Sequence, residues 1–188
     1  MKICIIGGIG SGKSEVLKVA KEAGIACLSA DEINAQLLED GDYIERIRQA
    51  FDNVVKDGKV DKAELSAQVF GDDTAREKLN SIAHPAIMGR IYLEKADPLA
   101  VELPLVLESG AKDIFDEIVF VDTPVDLRIE RLKGRGVTKE RALAVMRAQV
   151  DSEELKKIAT KVLDNGGSLD MLRRSAKALF EELLSKEK

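Results

Sequence analysis

The chain has 188 residues, 45% of them hydrophobic and 34% charged, the balance of a globular protein rather than a disordered one. That length suffices for one domain with a sizeable core and room for lobes inserted into it. A net charge of −5 argues against a broad basic face for nucleic acid, and no apolar run approaches membrane-spanning length.

The elements alternate along the chain. "KICII" (2–6) is a short apolar run ended by glycine, and residues 12–23 then return apolar side chains at helical spacing. "IACLS" (25–29) is a second apolar run. From 31 to about 96 no convincing central strand occurs; "DEINAQLLED", "DYIERIRQAF", "DKAELSAQVF" and "TAREKLNSIAHPAIMGRIYLEKA" all read as helices. His84-Pro85 ends one helical pattern there and starts another, since proline suits a first helical turn. Strand character resumes with "LAVELPL" (99–105) and "EIVFVD" (117–122). A helix over 124–134 follows, then a charged excursion over 131–157, a weaker strand "KVLDN" (161–165) and a closing helix over 168–186.

Apolar runs of this length bounded by turn signals suit buried parallel strands, and strand alternating with helix predicts an α/β fold with a five-stranded parallel sheet. The core is expected in 1–30, 97–130 and 158–188, with 31–96 an inserted helical lobe and 131–157 a mobile flap. Cys4 and Cys27 sit in apolar runs without metal-site spacing, which suits buried, reduced thiols. Met1-Lys2 leads straight into the first strand with no signal-peptide pattern, so a cytoplasmic location is expected.

The glycine-rich stretch is the strongest chemical signal. Gly7 through Ser14, "GGIGSGKS", fits G-x-x-x-x-G-K-[ST] between an apolar strand and an amphipathic helix, the context such a loop requires. The backbone N–H groups of Gly8, Ile9, Gly10, Ser11 and Gly12 would wrap the phosphates of a nucleoside triphosphate, where larger side chains would block the approach. The helix beginning near Gly12 turns its positive end to the same anion. Lys13 would bridge the β- and γ-phosphates, and Ser14 would offer its hydroxyl to Mg²⁺. The plainer alternative is a glycine-rich turn with a chance lysine. A phosphate cradle leaves a small-molecule kinase, a GTPase switch or a nucleotide sensor without catalysis. No N-K-x-D guanine motif occurs, and the chain supplies candidates for the further parts a kinase needs.

Asp31 follows the second strand, and the carboxyl ends of strands in such sheets face the ligand crevice. It reads as a catalytic carboxylate near the loop, or as an ordinary helix N-cap. Glu102 lies inside an apolar strand, where a buried carboxylate needs a partner. A Mg²⁺ shell reached through water is one such partner, and a salt bridge is the other reading. Glu108 reads as structural or as part of the acceptor-site rim. In "ERLKGRG", Arg131 and Arg135 stand four apart on one helix face or at its frayed end. Such arginines neutralise charge on a transferring phosphoryl group, or simply solvate a helix end. Gly134 and Gly136 flank Arg135 and suit a lid that moves. His84 is a hinge residue or a ligand contact in the helical lobe.

Taken together these stretches resemble the bacterial dephospho-CoA kinase family. The resemblance rests on "GGIGSGKS", "ADEI", "AFDNVVKDGKVDKAELSAQVF", "SIAHPAI", "ELPLVLESG", "VFVDTP", "ERLKGRG" and "DNGGSL", in that order and spacing. It implies transfer of the ATP γ-phosphate to the ribose 3′-hydroxyl of dephospho-CoA, the last step of CoA biosynthesis, with Mg²⁺. It also implies a three-layer α/β/α core, a helical CoA-binding lobe and a lid. Carried over by position, Asp31 would be the acceptor-side catalytic carboxylate, and Lys13 and Arg135 would stabilise the transferring group. Arg131 would contact ATP, Asn165 would lie near its adenine, and His84 would belong to the acceptor lobe. The chain departs from the family pattern at Ile6, Ser29, Glu102 and Ala35, where threonine, aspartate, aspartate and histidine are usual. Another P-loop kinase with a nucleoside or shikimate-like acceptor, and a non-catalytic regulatory protein, are the alternatives.

Overall fold

The computed structural model describes residues 1–104, 110, 112–147, 149 and 151–186. In chain order the elements begin β1 (Lys2–Ile6), α1 (Lys13–Glu22), β2 (Ala26–Ser29), α2 (Ala30–Leu37), α3 (Gly41–Ala50), β3 (Val55–Lys56), β4 (Lys59–Val60), α4 (Lys62–Val69) and α5 (Asp73–Leu93). They continue with β5 (Leu99–Glu102), β6 (Glu117–Asp122), α6 (Val125–Lys133), α7 (Lys139–Arg147), α8 (Ser152–Ile158), β7 (Lys161–Asp164) and α9 (Leu169–Ser185). The chain divides into two compact units, 1–28 with 96–188, and 29–95.

The first unit is built on a five-stranded parallel sheet of order β2-β5-β1-β6-β7. Its strands read as unbroken apolar runs because both faces are covered: Ile3, Cys4, Ile5 and Ile6 are all fully buried. Ile3, Ile5, Ala100, Val119 and Val121 pack against Val16, Val19 and Ala20 of α1 and Leu172, Ala176 and Phe180 of α9. Each such large apolar side chain contributes about 1.5–3 kcal/mol by leaving water. Successive side chains alternate between faces, so Cys4, Ile6, Ile118 and Phe120 lie on the other one. There α8 packs on β6, with the Lys156 ammonium 6.0 Å from the centre of the Phe120 ring. β1 occupies the centre, between β5 and β6, so the loop after it leaves the carboxyl edge where parallel α/β sheets hold ligands.

Arg173 of α9 ties α1 in place, pairing with Glu15 and with Glu22, the latter at 2.6 Å. Partial burial raises the Glu15 pKa, but the Arg173 and Lys18 hydrogen bonds outweigh it and hold the carboxyl below the usual carboxylate value. Both cysteines are free thiols, and burial pushes the Cys4 thiol far above its ordinary value. β5 stops at Glu102, short of the expected 105; Pro104 brings no N–H for a further ladder bond. The remainder of that run, with Glu108, lies outside the described residues. Among the described residues no helix is long and apolar enough to cross a membrane.

In the second unit α5 packs against α2, α3 and α4. Asp40, Asp61 and Asp72 cap α3, α4 and α5, each accepting first-turn N–H groups on its side chain. Three sequence expectations change here. The break at His84-Pro85 does not occur, because α5 runs unbroken with Pro85 inside it. Pro85 leaves the Ser81 carbonyl without its helical donor, a cost on the order of 3 kcal/mol. Burial of Ile82 before Pro85 and of Ile87 and Ile91 after it carries the helix across that defect. The lobe expected to be helical also holds a hairpin, β3 with β4, between two of its helical stretches, turned by Asp57 and Gly58 at φ 50° and 74°. Finally, the N-cap of α2 is Ser29, without a side-chain cap, and Asp31 stands exposed in the first turn. A carboxylate there is favoured by the helix dipole rather than acting as the cap.

Candidate active site

The loop Gly7–Gly12 closes on itself around a lysine. The carbonyl of Gly8 accepts from Lys13 Nζ at 3.1 Å and from the Ser11 N–H at 3.1 Å. Lys13 is 8% exposed, and an ammonium that buried requires acceptors of this kind. Gly12 has φ +99°, and a Cβ there would lie 2.5 Å from Asn165 Nδ2. Only glycine meets both conditions. Gly12 is also the N-cap of α1, so no side chain caps the first turn. The positive end of the helix is thereby left for an anion.

The loop is pinned by its Ser11 carbonyl, which accepts from Thr123 Oγ1 at 2.8 Å and Asn165 Nδ2 at 2.7 Å. The Ser11 hydroxyl is buried beside Gly7 and has no hydrogen-bond partner among the described residues. Asn165 is itself held. Its side-chain and backbone oxygens both accept from Arg131 Nη2 at 3.2 Å, and its N–H donates to the Asp122 carbonyl at 2.7 Å. Lys13, Ser11, Asn165 and Arg131 thus form one bonded cluster at the carboxyl edge of the sheet.

At the foot of α1, the exposed Ser14 donates through Oγ to Glu102 Oε1 at 3.3 Å. Glu102 ends β5 opposite Ile5 of β1 and is 8% exposed. Mg²⁺ takes oxygen ligands, keeps several waters and shares substrate phosphates, so one carboxylate and one hydroxyl beside a phosphate cradle fit it.

The other expected residues belong to other elements. Arg135 follows Gly134 at the end of α6 and is exposed; its N–H closes the turn onto the Leu132 carbonyl at 3.0 Å. Asp31 and His84 belong to the second unit, Asp31 exposed on α2 and His84 half-buried on α5.

Three residues at the loop were missed by sequence reasoning: Thr123, Gln149 and Arg128. Arg128 of α6 is 6% exposed and donates from Nε to the Ile9 carbonyl at 2.8 Å. Its guanidinium fills the place of a side chain on Gly8, where a Cβ would come within 2.1 Å of Nη2. Burial pushes the Arg128 guanidinium below its ordinary value, with Asp122 opposing, and it remains charged. The glycine at position 8 was itself a signal that something approaches the loop closely, but not of what.

The comparisons with known proteins agree with this geometry. The dephospho-CoA kinase family model matches residues 1–170. A dephospho-CoA kinase of Corynebacterium diphtheriae is 37% identical over 190 residues, 95% of each chain. A solved Thermus thermophilus structure superposes with a TM-score of 0.80 at 34% identity, covering 97% of both chains. The dephospho-CoA kinase from Campylobacter jejuni superposes at 0.72 with 28% identity over 100% of both chains. The sheet order, the lysine-centred loop and near full-length similarity converge: the chain belongs to the dephospho-CoA kinase family.

Proposed function

We propose that this chain transfers the γ-phosphoryl group of ATP to the ribose 3′-hydroxyl of dephospho-CoA, giving CoA and ADP. The observation that carries the reading is a phosphate cradle already closed around Lys13, in a chain of this family. The loop amides and the N-terminus of α1 hold the phosphate chain, and Lys13 brings a fixed positive charge to its β- and γ-groups. Ser14 and Glu102 would hold Mg²⁺, which when bound supplies further positive charge to the phosphate oxygens.

The unit 29–95 is read as the acceptor lobe, with Asp31 as its catalytic carboxylate and His84 among its acceptor-side residues. The acceptor 3′-oxygen bonds to the γ-phosphorus as the bond from that phosphorus to the β–γ bridging oxygen breaks. The proton passes to Asp31, and the electron pair leaves with ADP. The segment 131–157 is read as a lid that excludes water, with Arg131 on ATP and Arg135 on the transferring group. Arg131 already reaches the loop through Asn165, whereas Arg135 is exposed and would come to the phosphate as the lid closes.

The test is an acceptor panel. The pure protein is incubated with Mg²⁺ and ATP and, separately, dephospho-CoA, a nucleoside or shikimate, and products are read by mass spectrometry. A new phosphomonoester on dephospho-CoA is expected; transfer only to another acceptor, or to none, overturns the reading. Asp31→Asn should lower kcat by ~10²–10⁴ with little change in melting temperature, the exposed carboxylate contributing only its small interaction with the helix dipole. An Asp31→Asn enzyme of wild-type kcat would remove Asp31 from the chemistry.

A further inference from the structure

The tip of the phosphate loop is held by two side chains that the reaction does not use. Ile9 lies between Gly8 and Gly10. Its N–H donates to Gln149 Oε1 at 2.9 Å, and its carbonyl accepts from Arg128 Nε at 2.8 Å. Arg128 Nη2 approaches the same Gln149 oxygen at 3.5 Å, which closes a ring of loop backbone, arginine and glutamine. A cavity of ≈ 340 Å³ borders the ring, lined by Leu143 and Met146 among others. Gln149 therefore reaches the loop beside open space rather than as part of a packed core.

Peptide geometry gives this ring a consequence. The Gly8 carbonyl and the Ile9 N–H belong to one planar unit. Lys13 Nζ and the Ser11 N–H hold its oxygen end, and Gln149 holds its N–H end. A glycine at position 8 lets that plane rotate with little steric resistance. A flip would turn an N–H toward the Lys13 ammonium, which carries only donors. Gln149 opposes that flip. Arg128 does the same for the next peptide unit by holding the Ile9 carbonyl.

We propose that Gln149 and Arg128 are positioning residues for phosphoryl transfer. They fix the two peptide planes at Ile9 and, through the Gly8 carbonyl, the place of Lys13. Gln149, past the end of α7, thereby helps set the alignment of the phosphate loop. This inference rests on the kinase reading above. Neither residue touches the reacting atoms, so their loss acts on the rate of a bound complex rather than on acceptor affinity.

The test uses the full chain. Gln149→Ala should raise amide exchange at Ile9 in the nucleotide-free protein about threefold to tenfold, the worth of one hydrogen bond, and leave the β1 amides unchanged. In steady state kcat should fall by a similar factor while KM for dephospho-CoA stays constant. Gln149→Glu keeps the acceptor oxygen and should recover most of that kcat. Gln149→Asn, one methylene shorter, should behave as Gln149→Ala and serves if the alanine variant folds poorly. Unchanged Ile9 exchange in Gln149→Ala overturns the clamp, and a freed Ile9 amide with undiminished kcat overturns its positioning role. A wild-type protein that transfers nothing to dephospho-CoA would instead refute the function reading, and Ile9 exchange would still decide the clamp.

Discussion

Adding one methyl group at Gly8 tests how tightly the loop is backed. A Cβ at that position would lie 2.1 Å from Arg128 Nη2, 2.4 Å from Cζ and 2.7 Å from Nη1. Three atoms of one planar group cannot all yield by small shifts, so Gly8→Ala must expel the guanidinium from its place. Expulsion breaks the 2.8 Å bond from Arg128 Nε to the Ile9 carbonyl, a charge-assisted bond worth about 1.5–3 kcal/mol. Restricting the unfolded chain returns about 0.4–1 kcal/mol. The net loss is about 0.5–2.6 kcal/mol, which in a chain of this size lowers Tm by roughly 1–10 °C. Thermal unfolding of Gly8→Ala alone does not isolate the cause, so the measurement is a double-mutant cycle with Arg128→Ala. In the Arg128→Ala background the space is already open, and Gly8→Ala should cost nothing further. An equal loss of Tm in both backgrounds would refute the reasoning.

Three further perturbations probe other parts of the molecule. Glu102→Gln removes the charge that pairs with Ser14 and should raise the Mg²⁺ concentration for half-maximal turnover about tenfold or more; an unchanged Mg²⁺ dependence would separate Glu102 from the metal. Arg135→Lys should fall well below wild-type kcat because an ammonium lacks the planar fork of donors, and full activity in Arg135→Ala would exclude it from the transition state. Glu15 is held below its ordinary value of 4.5 by Arg173 and Lys18, so its contribution is complete above that pH and fades as pH falls through the folded value. Glu15→Gln should therefore lower Tm at neutral pH and match the wild type in strong acid, and a gap that persists into strong acid would contradict the assignment.

The phosphate cradle was legible because its parts are contiguous. A strand, a glycine loop and a helix adjoin in sequence, and each local rule points the same way at Gly12, Lys13 and Ser14. Glu102 was legible for a different reason: a carboxylate inside an apolar strand demands a partner, and Ser14 provides one. The Asp57-Gly58 hairpin carried a local turn signal that the surrounding helical pattern masked. Pro85 misled because the local rule was outweighed by burial of Ile82, Ile87 and Ile91 on both sides of it along α5. Thr123, Arg128 and Gln149 could not be read from their neighbours. Each meets the loop from more than a hundred residues away, and only the tertiary arrangement brings Thr123 after β6, Arg128 of α6 and Gln149 to Ser11 and Ile9. Asn165 was expected near adenine. In the structure its amide holds the Ser11 carbonyl and accepts from Arg131, a tie between β7 and the loop that spacing does not reveal.

The central claim is the transfer of one phosphoryl group to one hydroxyl. The most direct measurement is to incubate the wild-type protein with ATP, Mg²⁺ and dephospho-CoA and to locate the new phosphate by phosphorus–proton NMR correlation. A phosphate coupled to the ribose 3′ proton, formed in step with ADP, is the predicted result. A phosphate on any other position, or ADP released without a phosphorylated acceptor, would contradict it.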